Sequence, residues 1–556
     1  RERGYWDVPR ELLEPYNAAD ADATLRIHRE MRQRLAAPSL SGVRRCLDEV
    51  VMPASLAVHE AECNGLMADA DLMERCTAAC VEVRDGLLAA IRECVGKPEF
   101  NPRSQDQLVD LLFTPKYQGG LGLSPYKTTG KYPLLYDEIR TGRSKPDKKR
   151  VEALRPSADN ETLEYLSGQH PVLDLVHDFR LVDKLITGFL PSHEDIDGRY
   201  KEELSLKALT TNIGPDGRIC TRFSQASETG RMKSREPNLQ NLYSKQDREL
   251  KRILGSRFTA LRSCFIAAPG WVLVQADIRS AEVFVLACLA RCRKLAMAAA
   301  ADMHSRGAVQ YFGLPEYPGY LEWKPPPEEW KEQHKDPRTA TKAVSFGIPY
   351  QLAAKGLARK IERETKRRIR CTPDDAQRYI DSYYKEYPEV RRYVEYCKSR
   401  VTDPGFLENP FGRRRRFGFT DDEALLAAWK REAVNFPIQS TVADVLNTAI
   451  GKLYRLERTP GMPEFRMVNF VHDSILAEVR PWCLPEYVML VRDVVGPRSP
   501  VPSWLGHDGG VSEPFHLEVD VEVGLRWGAK STVDELRGAG VPDAEAEKYG
   551  AKPKKK

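Results

Sequence analysis

Two aspartates stand where apolar runs give out. In "VLVQADIRSAEVFVLACLA" (272–290), Asp277 comes near the end of a strand-like run, and a helix-like run follows. In "VNFVHDSILAEV" (468–479), Asp473 belongs to a polar triplet, His472-Asp473-Ser474. The flanks are rich in Val, Ile and Phe, which reads as strand–turn–strand. Each aspartate has an ordinary reading. Asp favours helix N-caps, and Asp and Ser are common turn formers. Taken as a pair they admit another: two strand-end carboxylates in one sheet can hold two Mg²⁺ ions, which prefer oxygen ligands and keep waters and substrate phosphates in their shells. Two such ions ~4 Å apart activate an attacking oxygen and stabilise a leaving one. A third stretch, "DPRTATKAVSFGIPYQLAAKGLARK" (336–360), spaces Arg338, Lys342 and Phe346 at i, i+4 and i+8, on one helix face. An amphipathic helix with bases lying along its surface has the same spacing. A face of two cations and then an aromatic also suits a triphosphate and its base. Tyr350 follows one turn on, past Gly347 and Pro349.

The rest of the chain must bring these pieces together. Its 556 residues exceed what one core supports, so several subdomains are expected. Residues 1–40, 55–115 and 159–190 carry helical spacing. Strand signals occupy 215–290, clearest in "WVLVQADI" (271–278), and return at 466–479 and 515–523. Residues 291–430 are mostly helical, interrupted by "LPEYPGYLEWKPPPEEW" (314–330), whose prolines cannot sit in a helix interior. The pattern predicts an α+β fold: an antiparallel sheet assembled from distant segments, with helical arms inserted.

Bulk composition narrows the class. No apolar run approaches the ~20 residues a membrane helix needs. The chain opens on "RERGYWDVPRE", without a charged-then-apolar leader. Twelve cysteines without a C-x-x-C pair read as reduced thiols in a cytoplasmic compartment, or a host cytoplasm for a viral chain. The net charge of +5 is mild, but the basic residues are clumped at 144–150, 358–370, 412–418 and the terminal "KPKKK". Such clumps point to a polyanionic partner.

At this point the motifs resemble those of family-A DNA polymerases, the group of bacterial polymerase I. "TGRMKSREPNLQNL" (229–242) resembles the primer–template motif, "ADIRSAE" (276–282) the first catalytic motif, and "RTATKAVSFGIPY" (338–350) the nucleotide-binding helix of the fingers. "REAVNFPIQSTVADV" (431–445) resembles the DNA-binding palm helix and "VHDS" (471–474) the last catalytic motif. All five stand in the family's order. The resemblance implies a right-hand polymerase fold, a palm sheet with helical thumb and fingers. It divides the chain into a C-terminal remnant of a 3′–5′ exonuclease-like domain (1–40), a linker into the palm (41–65), thumb (66–205), palm (206–290), fingers (291–430), and palm again with a basic tail (431–556).

The same resemblance implies the chemistry. A primer 3′-hydroxyl attacks the α-phosphate of a dNTP and pyrophosphate leaves, with two Mg²⁺ ions held by Asp277, Asp473 and the backbone carbonyl of Ile278. Arg338, Lys342 and His304, the last in "DMH" (302–304), face the triphosphate, and Lys342 protonates the leaving pyrophosphate. Phe346 stacks on sugar and base, Tyr350 lies near the templating position, and Glu282 excludes ribonucleotides. Arg231, Asn238, Gln240, Arg431, Asn435, Gln439 and His472 contact primer or template, and the basic stretch 143–150 grips backbone phosphate.

There are departures. Ile278, Arg279 and Ser280 stand where the family has Tyr-Ser-Gln, and Ser474 replaces a Glu after the last Asp. Arg279 places a cation near the metals without an evident reason. Pro349 predicts a kink in the fingers helix. "YNAADAD" (16–22) resembles the third exonuclease motif, with Tyr16 orienting water and Asp20 binding metal. The first two exonuclease motifs are absent from this sequence, so a separate exonuclease or processivity partner is expected. Two other readings of the chain are a single-subunit RNA polymerase, which shares "HDS", and a non-catalytic DNA-binding subunit. Glu282 and "PNLQN" argue against the first, the intact Asp277, Asp473, Arg338 and Lys342 against the second.

Overall fold

The computed structural model describes residues 8–127, 156–190, 209–242, 247–365, 368–496 and 517–551. The basic stretch 143–150 and the terminal lysines lie outside them.

A four-stranded sheet organises the molecule: β1 (Val272–Ile278), β2 (Phe465–Val471), β3 (Ser474–Val479) and β4 (Val519–Gly524). Their order is β4-β1-β3-β2, with every neighbour antiparallel. The strands β1, β2 and β3 are covered on both faces and read as near-continuous apolar runs. Val272, Val274, Ala276 and Ile278 pack on one face with Ile475, Ala477, Val479, Val519 and Val523. On the other face Leu273 and Leu476 join a second core that includes Trp527. The Trp527 indole donates to the side-chain oxygen of Gln275 at 2.8 Å. Toward one end of the sheet this second face turns polar. Asp277 sits opposite Ser474 on one side and Asp520 on the other.

Helices cover both faces. α1 (Met52–Asn64) and α2 (Ala70–Val95) flank a short strand, Leu66–Ala68. Asp69 caps α2 by accepting from the Leu72 N–H at 3.0 Å, and Gly96, at φ 69°, ends it. α2 pairs with α3 (Pro171–Gly188) in an arm whose outer part has its own core around Ile91, Leu108 and Phe179. The other arm holds α4 (Ala281–Leu289), α5 (Met303–Phe312), α6 (Lys335–Gly347) and α7 (Ala354–Glu364). Within the basic clump at 358–370, Arg359 lies over the Tyr126 ring at 5.1 Å, and Arg363 stands 3.6 Å from Glu161, both on the first arm.

α8 (Glu423–Glu457) returns to the sheet; its 35 residues extend ~50 Å. A close approach fixes it to α1: a Cβ on Gly451 would stand 3.0 Å from the Pro53 Cβ. The segment 41–65, expected as a linker, is a run of helical turns whose Cys46, Val50, Ala54 and Ala57 are buried in the main core. The kink expected at Pro349 is a helix end instead. α6 stops at Gly347, and Gln351 takes a left-handed φ of 55°. The insertion at 314–336 folds onto α5. Tyr317 and Trp330 bury against Ala308, and the Arg306 guanidinium lies over Tyr320 (4.1 Å) and Trp323 (3.7 Å). None of the twelve cysteines is in a disulfide, and among the described residues no helix is long and apolar enough to cross a membrane.

Two glutamates removed from solvent are partnered differently. Glu478, fully buried, accepts from Arg218 (2.9 Å), Arg466 (2.6 Å) and the Ala268 N–H (2.9 Å). Glu457, at the end of α8, has no hydrogen-bond partner for Oε2, and its neighbour Arg458 stands 3.8 Å away. Burial and the nearby Glu60 push its carboxyl up to about 7. The folded chain therefore keeps a proton there that the unfolded chain releases, and stability falls as pH rises from the ordinary glutamate range to about 7. Glu457→Gln is expected to stabilise the protein at pH 8 by on the order of 2 kcal/mol and to have little effect at pH 4. Urea unfolding at the two pH values checks this.

Candidate active site

The sheet brings the two aspartates together. Asp277 is the penultimate residue of β1, and the turn before β3 carries His472 and Asp473 to the same end of the sheet. The Ile278 N–H donates to the Asp473 carbonyl at 3.2 Å, tying the turn to the strand. Two non-glycine residues take left-handed backbone here, His472 (φ 53°) and Ser280 (φ 49°). Such conformations cost free energy and persist where surrounding structure imposes them. Asp277 is not the helix N-cap; that position is Ser280, which makes no side-chain cap.

The electrostatics suit a cation. The Asp277 tip meets solvent, yet protein surrounds it on most sides. Burial, then the charges of Asp473, Asp520 and Glu522, raise its carboxyl to about 6. Burial also raises Asp473, opposed by Arg231 and reinforced by Glu282. Among the described residues no three His, Cys, Asp or Glu form a complete cage. Two carboxylates make a partial shell, which fits Mg²⁺ completing its coordination with water and phosphate.

A hydrogen-bonded bridge links this end of the sheet to the second arm. Arg231 donates to Glu282 and stands 3.9 Å from Asp473. The Tyr350 hydroxyl donates to the other Glu282 oxygen, and the Gln439 amide donates to that hydroxyl at 3.2 Å. Burial and Glu282 push the Tyr350 phenol beyond its ordinary range. Glu282, Phe346, Tyr350 and Asn435 line a small recess, and the Asn435 Oδ1 is buried without a partner.

The face of α6 assembles the cations. His304 and Phe346 have ring centroids 5.9 Å apart, and the Lys342 Nζ lies 6.0 Å from the Phe346 ring. Arg338 donates to Ser305 Oγ (2.8 Å) and Asp302 (3.0 Å). Burial, with Lys342 and Arg338 adding to it, lowers His304 to about 4, leaving a neutral imidazole at pH 7.

Other expected residues stand apart. The Gln240 amide is used within the protein, accepting from the Ser234 N–H at 3.1 Å and donating to the Phe470 carbonyl at 2.9 Å. Asn238 Oδ1 accepts from the Gln240 and Asn241 N–H groups. Arg431 is exposed near the start of α8, on the face shared with Asn435 and Gln439. Tyr16 and Asp20 lie on the exposed helix Arg10–Leu35, which buries none of its residues. Sequence reasoning missed Asp302 and Ser305 as partners of Arg338. It also missed Asp520 and Glu522, although "LEVDVEV" (517–523) sets an acid at every second position, a one-face pattern. Arg279 gains a reason: it donates through Nε and Nη2 to the two oxygens of Asp520 and through Nη1 to Glu518.

A family model, DNA polymerase family A, matches residues 70–529. The chain belongs to DNA polymerase family A. It is 29% identical over 529 residues to DNA polymerase I of Pseudomonas aeruginosa, covering 93% of this chain and 48% of that one. It is 25% identical over 512 residues to a DNA polymerase of Escherichia phage T5, covering 88% and 53%. Among solved structures it is similar to the POL domain of Pol1 from M. smegmatis, in complex with DNA primer-template and dNTP. The TM-score is 0.67 at 25% identity, covering 89% of this chain and 72% of that one. The chain thus spans about half the length of the curated relatives it matches. In this family A member the central sheet and two helical arms form the α+β polymerase fold.

Without metal, the paired carboxylates oppose folding. Above about pH 6 the folded protein holds Asp277 ionised beside Asp473. Asp277→Asn is expected to raise the melting temperature in chelator at pH 8 by a few degrees. The gain should shrink at pH 5, where wild type takes up a proton. Differential scanning calorimetry at both pH values reads the effect.

Proposed function

We propose that this chain is a template-directed DNA polymerase, adding dNTPs to a primer 3′-end and releasing pyrophosphate. One observation carries the reading. Asp277 and Asp473, almost two hundred residues apart in the chain, meet at one end of the sheet, and the Glu282–Tyr350 bridge joins them to the face bearing Lys342 and Phe346.

Polymerases of this family are metal-dependent. Asp277, Asp473 and the Ile278 carbonyl would hold two Mg²⁺ ions. Bound there, they would supply positive charge to the primer hydroxyl, the α-phosphate and the departing pyrophosphate. The chain's own residues do the remaining work. Arg338 and Lys342 take triphosphate oxygens in charge-assisted hydrogen bonds. Neutral His304 donates to a phosphate oxygen without adding a charge that would compete for the metals. Lys342 gives its proton to the pyrophosphate as the P–O bond breaks. Phe346 stacks on sugar and base, and Tyr350 closes the recess beside the templating base. Glu282, held by Arg231 and Tyr350, cannot swing aside, so a ribose 2′-hydroxyl meets a fixed carboxylate. Arg431, Asn435, Gln439, Arg231 and His472 line the primer–template path. Minor-groove acceptors there are shared by every base pair, so contacts to them test pairing geometry, not sequence. Asn238 and Gln240 serve that path by bracing the loop behind Arg231.

Primer extension on a primed template tests this. Wild type is expected to extend with dNTPs and Mg²⁺, and Asp277→Ala and Asp473→Asn to lose about a thousandfold or more in rate while still binding DNA. Glu282→Ala is expected to admit rNTPs, with discrimination falling roughly 10- to 200-fold. DNA binding without extension would favour a non-catalytic subunit. Extension by wild type with rNTPs would remove Glu282 as the sugar gate.

A further inference from the structure

The acidic patch at the end of the sheet is larger than the two aspartates that the reaction uses. Strand register sets Ser474, Asp277 and Asp520 in one row across β3, β1 and β4, their side chains on one face. Glu518 and Glu522 flank Asp520 along β4 on that face. Arg279 enters from just beyond the end of β1, two residues past Asp277 and so on the same side. Its guanidinium takes both Asp520 oxygens as a fork, and Nη1 donates to Glu518 at 2.6 Å. Its backbone N–H donates to the Glu518 carbonyl at 2.9 Å. The clamp is half exposed.

Two consequences follow from charge and ligand count. A carboxylate whose two oxygens are held by a guanidinium is a poor metal ligand, so Asp520 is withheld from any cation at Asp277. The guanidinium also cancels part of the negative potential that draws divalent cations. We propose that Arg279 is a positioning residue which, through Asp520, lowers the affinity of the Asp277–Asp473 pair for free divalent metal and keeps the cation off β4. The inference rests on the two-metal reading above. It concerns occupancy before DNA and nucleotide arrive. With part of the shell supplied by substrate phosphate, a site too attractive to free metal would fill in the wrong geometry.

The test is a Mn²⁺ titration of the full chain, without DNA or nucleotide, with free Mn²⁺ read by electron paramagnetic resonance. For a half-exposed charge the expected change is about three- to tenfold. Arg279→Gln should bind Mn²⁺ that much more tightly. Asp520→Asn, which leaves Arg279 with less acidic company, should bind it more weakly by a similar factor. The double variant should return near wild type, and Arg279→Lys, which keeps the charge but not the fork, should fall between wild type and Arg279→Gln. Unchanged Mn²⁺ affinity in both single variants, with Asp277→Asn still abolishing the binding, overturns the inference while sparing the two-aspartate reading. A melting temperature lowered by Arg279→Gln with no change in Mn²⁺ affinity also overturns it, because Arg279 would then only brace β4. Binding indifferent to Asp277→Asn overturns both.

Discussion

Two carboxylates repel each other, and in this molecule backbone geometry is what keeps them side by side. β1 is paired along both edges, and the turn carrying Asp473 is tied to it by the Ile278 N–H. Neither aspartate can retreat without breaking a ladder that also closes two hydrophobic cores. The left-handed residues His472 and Ser280 mark where the chain bends to meet that demand. Arg231 offsets part of the repulsion, but it is shared with Glu282, so the pair stays under-neutralised. This is the state expected of a site whose remaining counter-charge comes from outside the chain.

The helical face opposite is held by different means. Arg338 is fixed by Ser305 of α5 and by Asp302, the N-cap of that helix, and the aromatic segment that follows α5 packs behind it. His304 is kept neutral by burial and by its cationic neighbours. The sheet side is thus a fixed anionic edge, and the α6 side a cationic face. A side-chain relay, Gln439–Tyr350–Glu282–Arg231, joins them. That relay runs beside a small recess lined from three widely separated parts of the sequence.

Much of this was legible in the sequence because it follows from period and chain order. The apolar run in "WVLVQADI" announced β1, and steps of four announced the face of α6. The bend at Asp473 followed from apolar flanks around a polar triplet. What escaped depends on which strand lies beside which. Nothing local says that β4 pairs with β1, so the partner of Arg279 could not be named, although the acids of β4 alternate visibly. The same holds for Asp302 and Arg338, on separate helices. Pro349 pointed to a kink, but tertiary structure ends the helix two residues earlier, which accommodates the missing N–H at less cost. Gln240 and Asn238 sit in a motif that resembles a DNA-contacting one; Asn238 Oδ1 holds its own loop, and the Gln240 amide ties that loop to Phe470 on β2. A motif alone cannot separate a side chain that touches a ligand from one that shapes the segment beside it.

The central position of β1 has a consequence for how this protein is made. Both strands that satisfy its edges come from the last part of the chain, β3 almost two hundred residues later and β4 later still. At ~5–20 residues per second a ribosome takes roughly 10–40 s to reach β3. For that interval a Val- and Ile-bearing strand with two open edges is exposed to pairing with other chains. The helical arm before β1 contributes its own outer core and can condense early. The end of the sheet that carries Asp277 and Asp473 forms last, because the two aspartates of a nascent chain cannot meet until β3 has been synthesised.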